Sequence, residues 1–192
     1  ADLSGDRART GTWHECTHVA CEGSIAAARS RRSEQSFDAR HPGVGANIAA
    51  LSLHALAEVM ERCRLARLTR FQHVLLRLGE LIAYAECAGC LARRAARAAE
   101  GKLPEKANAR FDPPALAAMS RVFAREATLL VAGQGVRWVA GGGGVSDAEM
   151  QSFEAAIGLT AIHRAQAGAV ADMDLVADVL YSRQAKAAAI SA

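Results

Sequence analysis

The residues with the most chemical potential lie near the start of the chain. His14-Glu15-Cys16-Thr17-His18 spells H-E-x-x-H, and on a helix that spacing sets two imidazoles on one face, one turn apart. Glu15 would then polarise a metal-bound water, and Glu22, another turn along, would supply a third ligand. That is the chemistry of a zinc-dependent hydrolase. The surroundings argue against it: only thirteen residues precede His14, too few for a substrate-binding sheet, and no H-x-x-G-x-x-H extension follows. The pattern stays an alternative reading, and no residue is assigned a metal.

The other candidates are weaker. Cys87-Ala88-Gly89-Cys90 has redox spacing, but no strand precedes it and no second C-x-x-C completes a zinc site. The two cysteines read as small residues packing on adjacent helical turns. A ferritin-like carboxylate site needs Glu-x-x-His on two helices, and Glu80 and Glu86 have no such partner. His54, His73 and His163 fall within amphipathic patterns, where solvent-facing or hydrogen-bonded core histidines are commoner than bases, and no G-x-S-x-G elbow is present. The glycine runs 133–135 and 141–144 lack the preceding strand and following Lys-Ser/Thr of a phosphate loop, so they read as connections. No catalytic or cofactor-binding residue is assigned in this chain.

The elements that would position these residues are helical. Hydrophobic residues make up 51% of the 192, yet aromatics only 5%, so alanine and aliphatics carry the excess, a mix that suits close-packed helices better than strands. Ile48, Leu51, Leu56, Val59 and Cys63 recur at helical spacing over about 45–66. Leu68, Phe71, Leu75, Leu78, Ile82, Ala85 and Gly89 form a second apolar seam, which runs on through small residues until Gly101 stops the helix. Residues 102–112 read as a polar loop. Asp112-Pro113-Pro114 opens a third helix, which is expected to weaken near Gly133 and Gly135. Ser146 and Glu149 form a capping box that opens a fourth, with breaks expected near Gly158 or Gly168. The fold class is all-α, an antiparallel helix bundle over 42–185. Residues 1–41 are a linker with a short helix at about 14–32, and 186–192 are a tail.

Charge narrows the partners. Twenty of the 23 basic residues are arginine; eight fall in 61–97 against three glutamates, whereas 141–178 holds six acids and one arginine. This asymmetry would match one helix to another, or present a basic face to an acidic partner or an anionic membrane. With only Phe71 and Tyr84 interleaved, the basic stretch is a poor single-stranded nucleic-acid surface, so no nucleic-acid partner is expected. Five cysteines, an odd number, point to reduced thiols and a cytoplasmic location. The opening residues lack an apolar signal core and start on Ala1, which reads as a processed or excised chain.

The stretch VGANIAALSLHALAEVMERCRLARLTRFQHVLLRLGELIAYAECAGCLARRAA resembles the two long antiparallel helices in the C-terminal α-domain of acyl-CoA dehydrogenases. In that family a V-G-A opens the first helix and a Phe/His-Gln pair the second. A Leu-Ala-(Asp/Glu)-Met pattern follows, and then an alanine-rich end. The counterparts are Val44-Gly45-Ala46, Phe71-Gln72, Leu78-Gly79-Glu80-Leu81 and Arg93-Arg94-Ala95-Ala96. MSRVFAREATLLVAGQGVRWVAGGGG resembles the family's next helix and its Gly-Gly turn. The resemblance covers about 42–145.

The departures bear on function. The flavin-contacting R-x-x-F-G of the family is replaced by Glu61-Arg62-Cys63-Arg64-Leu65, and the turn's glutamine by Arg137 or Trp138. The Tyr-Glu-Gly-Thr that carries the family's catalytic glutamate is missing, and Phe153-Glu154-Ala155 is the nearest echo. The resemblance therefore implies the extra C-terminal helical domain of the very-long-chain type, beginning near His41-Pro42. Such a domain would be non-catalytic and would serve subunit assembly or membrane-surface docking. FAD would belong to the full-length protein, and the partner would be the enzyme's own catalytic core or an identical subunit.

Overall fold

The computed structural model describes residues 37–104, 106 and 111–181, and among them every regular element is helical. Residues 37–40 form a helical turn, and α1 (Ala46–Leu65) follows. A 3-10 turn at Leu68–Arg70 reverses the chain into α2 (Gln72–Ala99), so the two helices lie antiparallel. The third helix, α3 (Pro113–Gly141), packs against both of them. Three shorter helices close the bundle: α4 (Asp147–Ala156), α5 (Leu159–Arg164) and α6 (Ala169–Leu180), the last lying along α3. The all-α antiparallel bundle read from the sequence is the observed architecture.

Local signals placed the ends of these elements. The Asp112 carboxylate accepts from the Ala115 amide at 3.0 Å, with prolines in the first turn of α3. At α4 the Ser146 hydroxyl accepts from the Glu149 amide, while the Glu149 carboxylate accepts from the Ser146 amide at 2.9 Å. The α2 terminus is a Schellman motif. The Lys102 amide donates to the Arg97 carbonyl at 2.8 Å and the Gly101 amide to that of Ala98 at 3.0 Å. Gly101, at φ +67°, supplies the left-handed residue that this closure requires. Gly158 and Gly168 separate α4, α5 and α6, so both expected breaks occur.

Two expectations need correction. The helix does not weaken at Gly133 and Gly135; α3 runs unbroken to Gly141. Gly135 is there because α1 passes so close that a Cβ would lie 2.2 Å from Cγ2 of Val59. The seam expected on α2 is only partly right: Leu68, Leu78, Ala85 and Gly89 are buried and Leu75 half-buried, but Phe71 and Ile82 face solvent. Val74, Leu81, Ala88, Ala92 and Ala95 complete the buried stripe. Phe71 stands before the first helical residue in extended conformation, and Ile82 lies a residue round the helix from the core-facing Leu81.

The core is divided in two. Around the α1–α2 turn it is bulky, with Leu53, Leu56, Val59, Leu81, Val131, Ile157 and Ile162 fully buried. Toward the other end small residues dominate: Ala46, Ala92 and Ala95 in one cluster, and Ala49, Ala88, Ala124 and Ala127 in another. Alanines let the helix backbones approach closely and gain dispersion contacts without losing side-chain entropy. Phe37 packs against the first of these clusters, so the packed region begins before His41-Pro42.

Candidate functional site

An open cleft of about 650 Å³ lies where the 3-10 turn, the start of α2 and the end of α3 meet. Its apolar lining is Leu68, Phe71, Val74 and Trp138, and its polar lining includes Arg77, Gln134 and Arg137. The sequence folds this way because Leu68 turns inward against Gly142, where a Cβ would lie 2.8 Å from Leu68 Cδ2. The cleft thus unites two segments far apart in the chain, the stretch around Phe71 and the glycine turn after Trp138. Phe71, in the cleft, is 54% exposed, and Leu65 and Leu76, near it in the chain on either side of the 3-10 turn, are 60% and 68% exposed, a high proportion for large apolar side chains. Arg77 is paired with Glu80 at 2.6 Å, whereas Arg137 has no ion-pair partner among the described residues.

The residues that stand in place of the flavin-contacting motif of the resemblance lie at the end of α1. The Arg64 guanidinium donates to both oxygens of Glu61, at 2.8 and 2.5 Å, and this holds the Glu61 carboxyl below its ordinary value. Arg62 Nε is buried without a hydrogen-bond partner, and the far end of the side chain lies 3.7 Å from Glu149. Cys63 is sealed in the core, where burial pushes its thiol up to about 11. Phe153 is also core, and Glu154 lies half-buried on α4 rather than in the cleft.

The other sequence candidates are dispersed. His14, Glu15, His18 and Glu22 lie outside the described residues, as do Cys16 and Cys21. Among the described residues no three His, Cys, Asp or Glu side chains converge as a metal site. His73 is exposed beside Phe71, with ring centroids 5.9 Å apart, His163 is exposed, and His54 is half-buried next to Gly158. Glu80 and Glu86 both face solvent. Cys87 and Cys90 do not pack inward on adjacent turns as expected; both are exposed, and Arg93 Nη2 lies 3.3 Å from Cys90 Sγ.

Sequence reasoning missed the polar centre of the molecule. Asp172, in the first turn of α6, receives hydrogen bonds from both Arg121 and Arg125 of α3. Arg125 is only 6% exposed, and its remaining donors reach the carbonyls of Ala165 and Ala167, each at 2.8 Å. Arg121 also donates to the carbonyl of Gly43 at 2.5 Å. Hydrogen bonding to Arg121, then Arg125, holds the Asp172 carboxyl below its ordinary value. Every oxygen and guanidinium edge in this latch has a partner inside the chain, so its role is to fasten α6 and the 41–45 turn onto α3. Two arginines one turn apart, Arg121 and Arg125, among the alanines and aliphatic residues of α3 were the available signal.

The fold and its cleft define an all-α bundle with an open, half-apolar end. No known family model, curated protein or solved structure matches the chain. No helix among the described residues is long and apolar enough to cross a membrane.

Proposed function

We propose that this chain is a non-catalytic helical docking domain of the acyl-CoA dehydrogenase-like type, whose partner is a flavin-bearing core or an identical subunit. The observation that carries the reading is the exposed apolar end: Phe71 and Trp138 line an open cleft, with Leu65 and Leu76 exposed around the same turn. Exposed apolar side chains with a polar rim are what a protein interface buries. Arg137 at the cleft adds a preference for a partner surface that carries carboxylates. The resemblance over 42–145 supplies the family.

FAD in this reading belongs to the partner core, because Glu61-Arg62-Cys63-Arg64-Leu65 stands where the resemblance has its flavin-contacting R-x-x-F-G. The test of the non-catalytic part is to purify the full chain with added FAD and assay acyl-CoA oxidation. A colourless protein without turnover is the expected result. A yellow protein that oxidises acyl-CoA overturns the reading.

A further inference from the structure

Two of the described thiols share an environment unlike that of the third. Cys87 and Cys90 are both exposed on α2, one turn apart, whereas Cys63 is buried among apolar side chains. They line an open groove of about 700 Å³ with Arg93, Arg94 and Arg97, floored in part by Phe123. The Arg93 guanidinium donates to Cys90 Sγ at 3.3 Å. A cation on that sulfur stabilises the negative charge that it carries during thiol–disulfide exchange.

From these observations we infer that Cys87 and Cys90 form a reversible dithiol–disulfide pair, oxidised by a small disulfide that carries carboxylates. In the first step the Cys90 thiolate attacks one sulfur of that disulfide and expels a thiolate, leaving a mixed disulfide on Cys90. The Cys87 thiolate then attacks Cys90 Sγ and expels the second thiolate. The two protein thiols lose two electrons, the external disulfide gains them, and both thiol protons pass through solvent to the departing thiolates. The arginines hold the carboxylates of the small disulfide during the first step.

Helix geometry makes the bond possible and keeps it labile. Residues three apart in an α-helix have Cα atoms about 5 Å apart, within the range of roughly 4.4–6.8 Å that a disulfide spans. Their Cβ atoms, at about 5–6 Å, must approach to about 4 Å, so closure tightens the turn and leaves a strained, easily reduced bond. Gly89, inside that turn, is where the helix resists such a distortion least. Cys63 has neither exposure nor a neighbouring thiol in its cluster, and it serves as an internal control.

The test uses the full chain carrying Cys16→Ser and Cys21→Ser, treated with oxidised glutathione or the cationic disulfide cystamine at low salt. Intact mass should show loss of two hydrogens, and peptide mapping should place the link between Cys87 and Cys90. Reduced glutathione should reverse it, and Cys63 should stay unmodified. In the Cys87→Ser variant the reaction should stop at a glutathione adduct on Cys90. Oxidised glutathione should react about tenfold faster than cystamine, with the preference lost in added salt and in an Arg94→Gln/Arg97→Gln variant. Stable adducts on both cysteines without closure would overturn the pair. A link that involves Cys63, or equal rates with the two disulfides, would overturn the inference as well.

Discussion

Arginines in two regions of this molecule have opposite fates. Arg121 and Arg125 face α6 and spend their donors on Asp172 and on the carbonyls of Gly43, Ala165 and Ala167. Arg93, Arg94 and Arg97 line an open groove on α2. The first group is part of the interior, and its charge stabilises only because each edge is matched; the second lies along an exposed groove wall. Residue type is therefore a poor guide to function here. Which side of a helix an arginine occupies decides whether it holds the fold or meets a ligand.

The comparison breaks most sharply at Asp172. Asp172→Ala leaves the buried Arg125 guanidinium without its counter-ion and should cost about 3–5 kcal/mol in denaturant unfolding. Hydrogen exchange across α6 should become fast, because no residue of that helix is fully buried and the latch is its main anchor. The wild-type protein should show the same effect in acid. Asp172 titrates below its ordinary value, so its contribution is complete above pH about 4 and is lost as pH falls through the depressed value. The gap in stability between wild type and Asp172→Asn should therefore close on acidification, and a gap that persists there would contradict the latch.

A smaller effect is expected at Arg67, the one non-glycine residue with positive φ among those described, at +56°. Arg67→Gly should raise stability by up to about 1 kcal/mol, since glycine adopts that conformation without the steric cost. An unchanged or lower melting temperature would show that the Arg67 side chain matters more than its backbone. Least of all, Arg97→Gln in the groove should shift stability by no more than about 0.5 kcal/mol. A loss comparable to that of Asp172→Ala would erase the distinction between the two regions.

The sequence was legible where its signals are local. Asp112, Ser146 with Glu149, and Gly101 act on amides and carbonyls within a few residues, so their capping could be read from order alone. The seam of α2 could be read only in part. Leu78, Ala85 and Gly89 are buried as their spacing suggests, but that Leu81 rather than Ile82, and Ala88 rather than Cys87 and Cys90, face the core depends on how α2 packs against α1 and α3. Gly135 reads as a weakness in the sequence because its reason, the passage of Val59, lies on another helix. The Asp172 latch escaped for the same cause, since its partners are 47 and 51 residues apart in the chain. The cleft likewise exists only because Leu68 and Gly142 meet.

That cleft carries the central claim, that the end of the bundle near the α1–α2 turn is a docking surface. Sedimentation velocity of the full chain over a wide concentration range tests it most directly, with wild type set against a Phe71→Glu/Leu76→Glu variant. Both substitutions fall on exposed positions, so folding should be retained, as a matching melting temperature would verify. The docking account predicts reversible self-association of the wild type that the variant abolishes. A wild type that stays monomeric throughout, or a variant that associates equally well, would contradict docking of identical subunits through this surface.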